Sequence, residues 1–296
     1  MKLLGVPTSA GAFAPGQERA PVALRDAGLL ERLGAAGLEV EDLGDSDVRR
    51  WRPDPANRRA QNREVVAAIA KETAGRVERA LGTDGPLLVL GGDCTVELGT
   101  VAGHVARGGR FGLVYFDVHP DLNTPQSVHA GAFDWMGVAH MLGVDGADSL
   151  VSEFGPRSPL LEDDQLLLFG WGLEQAQPFE REQIESRRLE QLTLDEVAND
   201  PTGAAERVLG GFAERFEHLA IHFDVDTIDF TDAPLSENTG RNEGLAFDAA
   251  MSALTVLLSS ERLSALTITE LNPLHGDEDG VTLGRFIDGL TSALAG

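Results

Sequence analysis

Residues 111–121 read Phe111-Gly112-Leu113-Val114-Tyr115-Phe116-Asp117-Val118-His119-Pro120-Asp121. A run of strand length, with no charged residue on either alternating face, breaks off into acid. Such a run predicts a strand buried on both sides, as in a parallel sheet covered by helices. Past its end, Asp117, His119 and Asp121 stand at i, i+2 and i+4, so in an extended strand end all three side chains point to one face. The same sequence of events recurs three times. Leu87-Leu88-Val89-Leu90 runs into Gly91-Gly92-Asp93-Cys94. Leu219-Ala220-Ile221-His222-Phe223 runs into Asp224-Val225-Asp226-Thr227-Ile228-Asp229, and Leu263-Ser264-Ala265-Leu266-Thr267-Ile268 into Thr269-Glu270-Leu271-Asn272-Pro273. In open parallel sheets the ligand crevice lies outside the carboxyl ends of the strands, so these separate segments are expected to converge on one rim.

Between these runs lie amphipathic stretches. Leu3-Leu4-Gly5-Val6 predicts the first strand. Pro21 opens a helix carrying Val22, Leu24, Leu29 and Leu30 that stops near Gly34. Ala56 to Leu81, with Val65, Ile69, Val77 and Leu81 among charged residues, predicts a longer surface helix. Leu166-Leu167-Leu168-Phe169 before Gly170-Trp171-Gly172 adds a fifth strand that brings no ionisable group until Glu174. The alternation predicts the α/β class with a central, mainly parallel sheet. No tether and no internal repeat divides residues 1–296, which predicts one domain.

The chain carries 48 acidic against 24 basic residues, a formal charge of −24 that repels nucleic acid and anionic membranes and draws cations. A single cysteine, Cys94, allows no internal disulfide and fits a reducing compartment. The start has too short an apolar run for a signal peptide, and no stretch approaches the roughly 18 apolar residues of a membrane span, so the cytoplasm is the expected location.

Asp-x-His-x-Asp and Asp-x-Asp, each directly after an apolar strand, have metal-ligand spacing. Clustered carboxylates at such a place repel one another and are costly to desolvate unless cations neutralise them. Asp117, His119, Asp121, Asp224 and Asp226 together suggest two ions. One imidazole among carboxylates suits a hard divalent ion such as Mn²⁺ better than zinc. Asp229 reads as a residue that bonds the backbone of its turn, and Asp93 as a turn residue supporting the site.

These motifs, in this order, resemble the arginase or ureohydrolase family of arginases, agmatinases, formiminoglutamases and N-omega-hydroxyarginine amidinohydrolases. The resemblance extends from the approach to the helix between Gly16 and Leu30, through Gly91-Gly92-Asp93 and the two Asp-rich motifs, to Glu270. It implies a three-layer α/β/α fold, two Mn²⁺ ions per chain, a small guanidino amino acid as partner, and a trimer or hexamer. It makes Asp117 and Asp224 bridging ligands, sets Asp121 with the first metal and His119 and Asp226 with the second. Glu270 becomes the carboxylate that pairs with the substrate guanidinium, a planar cation that a carboxylate can grip bidentately. Asp121 would also orient the attacking water.

The chain departs from the family pattern at three points. Cys94 stands where most members have a histidine ligand. It either ligates as a thiolate, a softer donor than manganese usually takes, or packs as a small buried thiol. Asp121-Leu122-Asn123-Thr124-Pro125 resembles the arginase loop whose Asn contacts a substrate α-carboxylate, while Asn123 also suits an ordinary turn. Glu174 is the candidate for the α-amino group, although the family's usual Arg-Asp pair is missing before it. For the proton given to the leaving amine there are two candidates. Asp134 occupies the register of the arginase histidine, and His129, which titrates nearer neutrality, is preferred. His104 and His140 read as structural and His222 as a core residue. The resulting expectation is hydrolysis of N-omega-hydroxy-L-arginine or L-arginine to ornithine and hydroxyurea or urea. Agmatine and formiminoglutamate remain alternatives, as does an arginase-like binding protein without turnover.

Overall fold

A computed structural model describes residues 1–82, 85–276 and 280–296. Its strands are β1 (Lys2–Gly5), β2 (Glu41–Asp45), β3 (Leu87–Leu90), β4 (Phe111–Phe116), β5 (Leu166–Trp171), β6 (Glu190–Thr193), β7 (His218–Asp224) and β8 (Leu263–Thr269). They form one sheet in the order β2-β1-β3-β8-β7-β4-β5-β6, and every pairing is parallel. The four strands whose ends carry acid, β3, β8, β7 and β4, are therefore contiguous at the centre of the sheet. The convergence expected from the sequence is a consequence of this order.

Side-chain alternation sorts the sheet into two cores. Leu88, Leu90, Val114, Phe116, Ile221, Phe223, Leu266 and Ile268 point to one face, where they meet the helices Pro201–Gly210, Phe247–Leu258 and Val281–Ala295. Leu87, Val89, Leu113, Tyr115, Leu168, Ala220 and Ala265 point to the other, against Arg63–Ala80 and Val96–Arg107. The result is the three-layer α/β/α arrangement, with apolar side chains on both faces of each inner strand. Among the described residues no helix is long and apolar enough to cross a membrane.

The sequence missed the two edge strands. β2 reads Glu41-Asp42-Leu43-Gly44-Asp45 and is exposed along most of its length, and β6 reads Glu190-Gln191-Leu192-Thr193. An edge strand needs no continuous apolar run, and charges there discourage pairing with other chains. The expected helix from Pro21 to Gly34 is two helices, Ala20–Asp26 and Leu29–Ala35, separated by Gly28 at φ 88°. The long helix begins at Arg63 rather than Ala56. Asp54 accepts the backbone N–H groups of Asn57 and Asn62 at 3.2 and 3.0 Å and the Asn57 amide at 2.9 Å, holding residues 54–62 in a turn that competes with the helix.

Candidate metal centre

The rim is built by a repeated backbone device. At the end of β4, Asp117 Oδ1 accepts the N–H of His119 at 2.6 Å; at the end of neighbouring β7, Asp224 Oδ1 accepts the N–H of Asp226 at 2.7 Å. Each bond curls the chain so that the two side chains of a pair, Asp117 with His119 and Asp224 with Asp226, come to one rim. Asp121 and Glu270 have φ of 49° and 60°, a left-handed conformation uncommon outside glycine that clusters at functional sites. Tertiary bonds hold Glu270 there: its N–H donates to Gly92 O at 2.7 Å and its carbonyl accepts from Glu237 N at 2.8 Å. Gly92 has no alternative, since a Cβ would lie 1.7 Å from Thr8 O. Asp93 ties this turn to the first loop by accepting the N–H groups of Gly11 and Thr95 at 2.9 and 3.1 Å. Burial, partly opposed by those bonds, raises its pKa to about 6.

Two sets of donor atoms lie within ligating reach of a common point: Cys94, Asp117, His222 and Asp224, and Asp117, His119 and Asp226. Asp117 belongs to both. In the second set His119 Nδ1 is 3.0 Å from Asp226 Oδ2 and 3.5 Å from Asp117 Oδ1. In the first, Cys94 Sγ lies 2.9 Å from Asp224 Oδ2 and 3.6 Å from His222 Nε2. Asp117 Oδ2 and Asp226 Oδ1 are buried without a hydrogen-bond partner, although buried carboxylate oxygens are normally satisfied. Asp121 Oδ2 accepts from the Tyr115 hydroxyl at 2.6 Å.

The electrostatics agree with the orphaned oxygens. Burial, reinforced by the charges of Asp226 and Asp117, pushes Asp224 well above the usual carboxylate range. Burial and Asp117 do the same to Asp121, and burial and Asp134 to Glu270. Asp226 alone among them falls below its ordinary value: His119 beside it outweighs the burial. Burial works against a proton on His119, yet Asp226 and Asp117 hold that proton firmly. Without cations, protons neutralise the cluster. Divalent ions would do so while also occupying the orphaned lone pairs, so the residues fit metal.

Beside these groups is a cavity of about 290 Å³, lined by Cys94, His119, Asp121, Asp134, Asp224 and Asp226, and by Glu237, Asn238, Glu270, Phe13 and Trp135. Phe13 and Trp135 stack at 6.2 Å between centroids. Glu270 is fixed at the inner wall, accepting Cys94 N–H at 2.9 Å and the Gln17 amide at 3.0 Å. The structure thus brings together Cys94, Asp117, His119, Asp121, Asp134, Asp224, Asp226 and Glu270.

Other expected site residues lie elsewhere. His129 is exposed, with Nδ1 3.1 Å from Arg59 Nη2, and does not line the cavity, whereas Asp134 does. Of the two proton-donor candidates the fold therefore puts Asp134, and not the preferred His129, on the cavity wall; titration range carries no information on where the backbone takes a side chain. Asn123 is buried and does not line the cavity; its Oδ1 accepts from Ser127 at 3.0 Å and its side chain also bonds Glu180. Glu174 is exposed and does not line the cavity. Asp229 accepts backbone N–H groups from Thr231 and Glu243, each at 2.8 Å, as a turn residue does. His104 bonds the Thr100 carbonyl of its own helix at 2.9 Å, and His140 the Met136 carbonyl just before its helix at 2.7 Å. His222 is fully buried, as a core residue should be, and still joins a donor set. Phe13, Gln17, Tyr115, Glu237 and Asn238 went unread because they come from loops, from a single 3-10 turn or from the apolar run itself. Only the step of two residues back from Asp224 could have pointed to His222.

A parallel sheet between two helical layers, with a carboxylate-rich donor cluster at its carboxyl edge, makes this an α/β protein with a candidate metal centre. Known proteins narrow it. The family model described as Arginase family matches residues 1–288, and the chain belongs to the arginase family. It is 27% identical over 277 residues to an arginase of Bacillus caldovelox, covering 93% of this chain and 91% of that one, and 28% identical over 281 residues to human arginase-1, covering 93% and 85%. The solved arginase of Bacillus caldovelox superposes with a TM-score of 0.85 at 25% identity, over 99% of this chain and 97% of that one. A formimidoylglutamase of Bacillus subtilis shares the fold at TM-score 0.75 and 19% identity, over 99% and 85%.

Proposed function

We propose that this arginase-family hydrolase cleaves the guanidino or hydroxyguanidino group of an arginine-like amino acid, L-arginine or N-omega-hydroxy-L-arginine, with two divalent ions, manganese at the position of Asp117, His119 and Asp226. The observation that carries this reading is the cavity wall. Asp121, Asp134, Asp224, Asp226, Glu237 and Glu270 line it, with His119 as the one basic side chain on it among the described residues. A wall of that composition selects a cation. Glu270 lines it from a fixed position, with both oxygens held, and a carboxylate so placed can pair with a planar guanidinium.

Asp117, His119 and Asp226 would hold one ion, and Asp117 and Asp224 would share in the other. Two bound divalent ions supply a water acidified to near neutrality and charge stabilisation for its addition to the guanidino carbon. The protein groups do the rest. Asp121, itself held by the Tyr115 hydroxyl, orients the water. Glu270 keeps the guanidinium plane facing it. Asp134, whose pKa burial and Asp93 raise well above the usual range, supports a proton-donor role toward the departing amine. Water adds, the C–N bond to the δ-nitrogen breaks, and that nitrogen leaves as the amine of ornithine while the carbon leaves as urea or hydroxyurea. Phe13 and Trp135 at the mouth offer the aliphatic stem an apolar surface.

Steady-state kinetics of the Mn²⁺-loaded protein on L-arginine, N-omega-hydroxy-L-arginine, agmatine and formiminoglutamate, run in parallel, test the reading. The two α-amino acids are expected to give the highest kcat/KM. Turnover of none of the four overturns it.

A further inference from the structure

The inner donor set does not match the outer one. Around the outer position stand carboxylates and one imidazole; around the inner one stand a thiol, an imidazole and two carboxylates, from Cys94, His222, Asp117 and Asp224. His222 lies on β7 two residues before Asp224, so both side chains leave the same face of the strand. Its ring is fully buried and locked from three sides. It stacks on Tyr115 at 4.1 Å with the planes 1° apart. Nδ1 faces Glu97 Oε2 at 3.4 Å, and Glu97 is itself fully buried with its other oxygen unpartnered. Nε2 points at Cys94 Sγ, 3.6 Å away, with Thr269 Oγ1 at 3.2 Å.

A carboxylate on Nδ1 is what fixes a metal-binding imidazole in the tautomer whose Nε2 lone pair is free. A core histidine with no ligand to hold has no need of a buried carboxylate. Independently, Asp117, 1% exposed and a member of the same donor set, keeps an oxygen, Oδ2, buried without a partner. We propose that His222 is a ligand of the inner ion together with the Cys94 thiolate, oriented by Glu97. The inner position then takes a borderline, thiophilic divalent ion of the zinc or cobalt kind, while the outer position takes a hard ion such as manganese. Thiolate and imidazole donors select the first kind and carboxylate-rich sets the second. This rests on the two-ion reading above and adds a second metal class to it.

The probe is Co²⁺ added to the metal-free full chain, followed in the near ultraviolet and visible. Nearly all such sites prefer zinc or cobalt to manganese, so the diagnostic is the sulfur signature and its response to substitution. The expected result is a thiolate-to-cobalt charge-transfer band that saturates at one equivalent and is absent in Cys94→Ser. Competition with a chelator should show affinity for that first ion falling at least about 10-fold in His222→Asn, and about 10-fold in Glu97→Gln, as outer-shell partners typically do. The band is read on the unaltered protein and does not depend on any variant folding. No sulfur band, or an unchanged first affinity in a folded His222→Asn, overturns the proposal. Turnover is scored separately: a band without guanidino hydrolysis contradicts the functional reading alone, and hydrolysis without the band contradicts the ligand set alone.

Discussion

Asp134 and His129 show how a single side chain's worth is set by where the backbone takes it. Asp134→Asn is expected to lower kcat by about 10²–10⁴-fold, the range of a lost general acid, with little change in KM. His129→Gln, altering an exposed ring beside Arg59, should leave kcat within about twofold of wild type, since surface substitutions away from special features do little. Equal losses in the two variants would remove Asp134 from the role. His140 carries a pH prediction outside the site. Burial lowers its pKa from 6.5 to about 4, so between those values the unfolded chain takes up a proton that the folded chain refuses. The stability it confers is complete above pH 6.5 and is lost as pH falls toward 4, by about 3 kcal/mol at the lower end. Melting curves should show the wild type losing more stability between about pH 7 and about pH 4.5 than His140→Gln. Parallel losses would contradict this. At this scale the acids of the donor cluster were legible, because paired carboxylates directly after an apolar strand are costly to keep there unless a cation meets them. His222 was not, because one histidine inside an apolar run looks the same whether it packs or ligates.

The elements succeed or fail together at the turn after β3. Gly92 lets the chain pass Thr8 so closely that no side chain fits, and its carbonyl anchors Glu270 after β8. Gly92→Ala should therefore disturb two strand ends at once, with loss of tight metal binding and a stability cost above about 1 kcal/mol, the range for backbone strain at special positions. Metal titration and denaturant unfolding check it; wild-type affinity in the variant would show that the close approach is not required. The inner strands were readable because burial on both faces leaves a continuous apolar run. β2 and β6 were not, because an edge strand is held by one neighbour and carries the composition of a loop. The break at Gly28 and the delayed start at Arg63 are local bonding choices that apolar periodicity does not record.

Over the whole molecule, the order β3-β8-β7-β4 turns four separated segments into one site, and the charge of −24 gives that site its reach. A field of this sign draws a cationic substrate and is screened by salt. Between about 0.01 M and about 1 M ionic strength kcat/KM for L-arginine should fall several-fold, mainly through KM. A flat profile would mean that the surface charge plays no part. The most direct test of the central claim is hydrolysis in heavy-oxygen water by metal-loaded protein, with mass detection of both products. The account predicts ornithine in equal amount with urea from L-arginine, or with hydroxyurea from N-omega-hydroxy-L-arginine, the solvent oxygen appearing in the urea and none in ornithine. No ornithine from either substrate, in protein shown to carry two ions per chain, would contradict it.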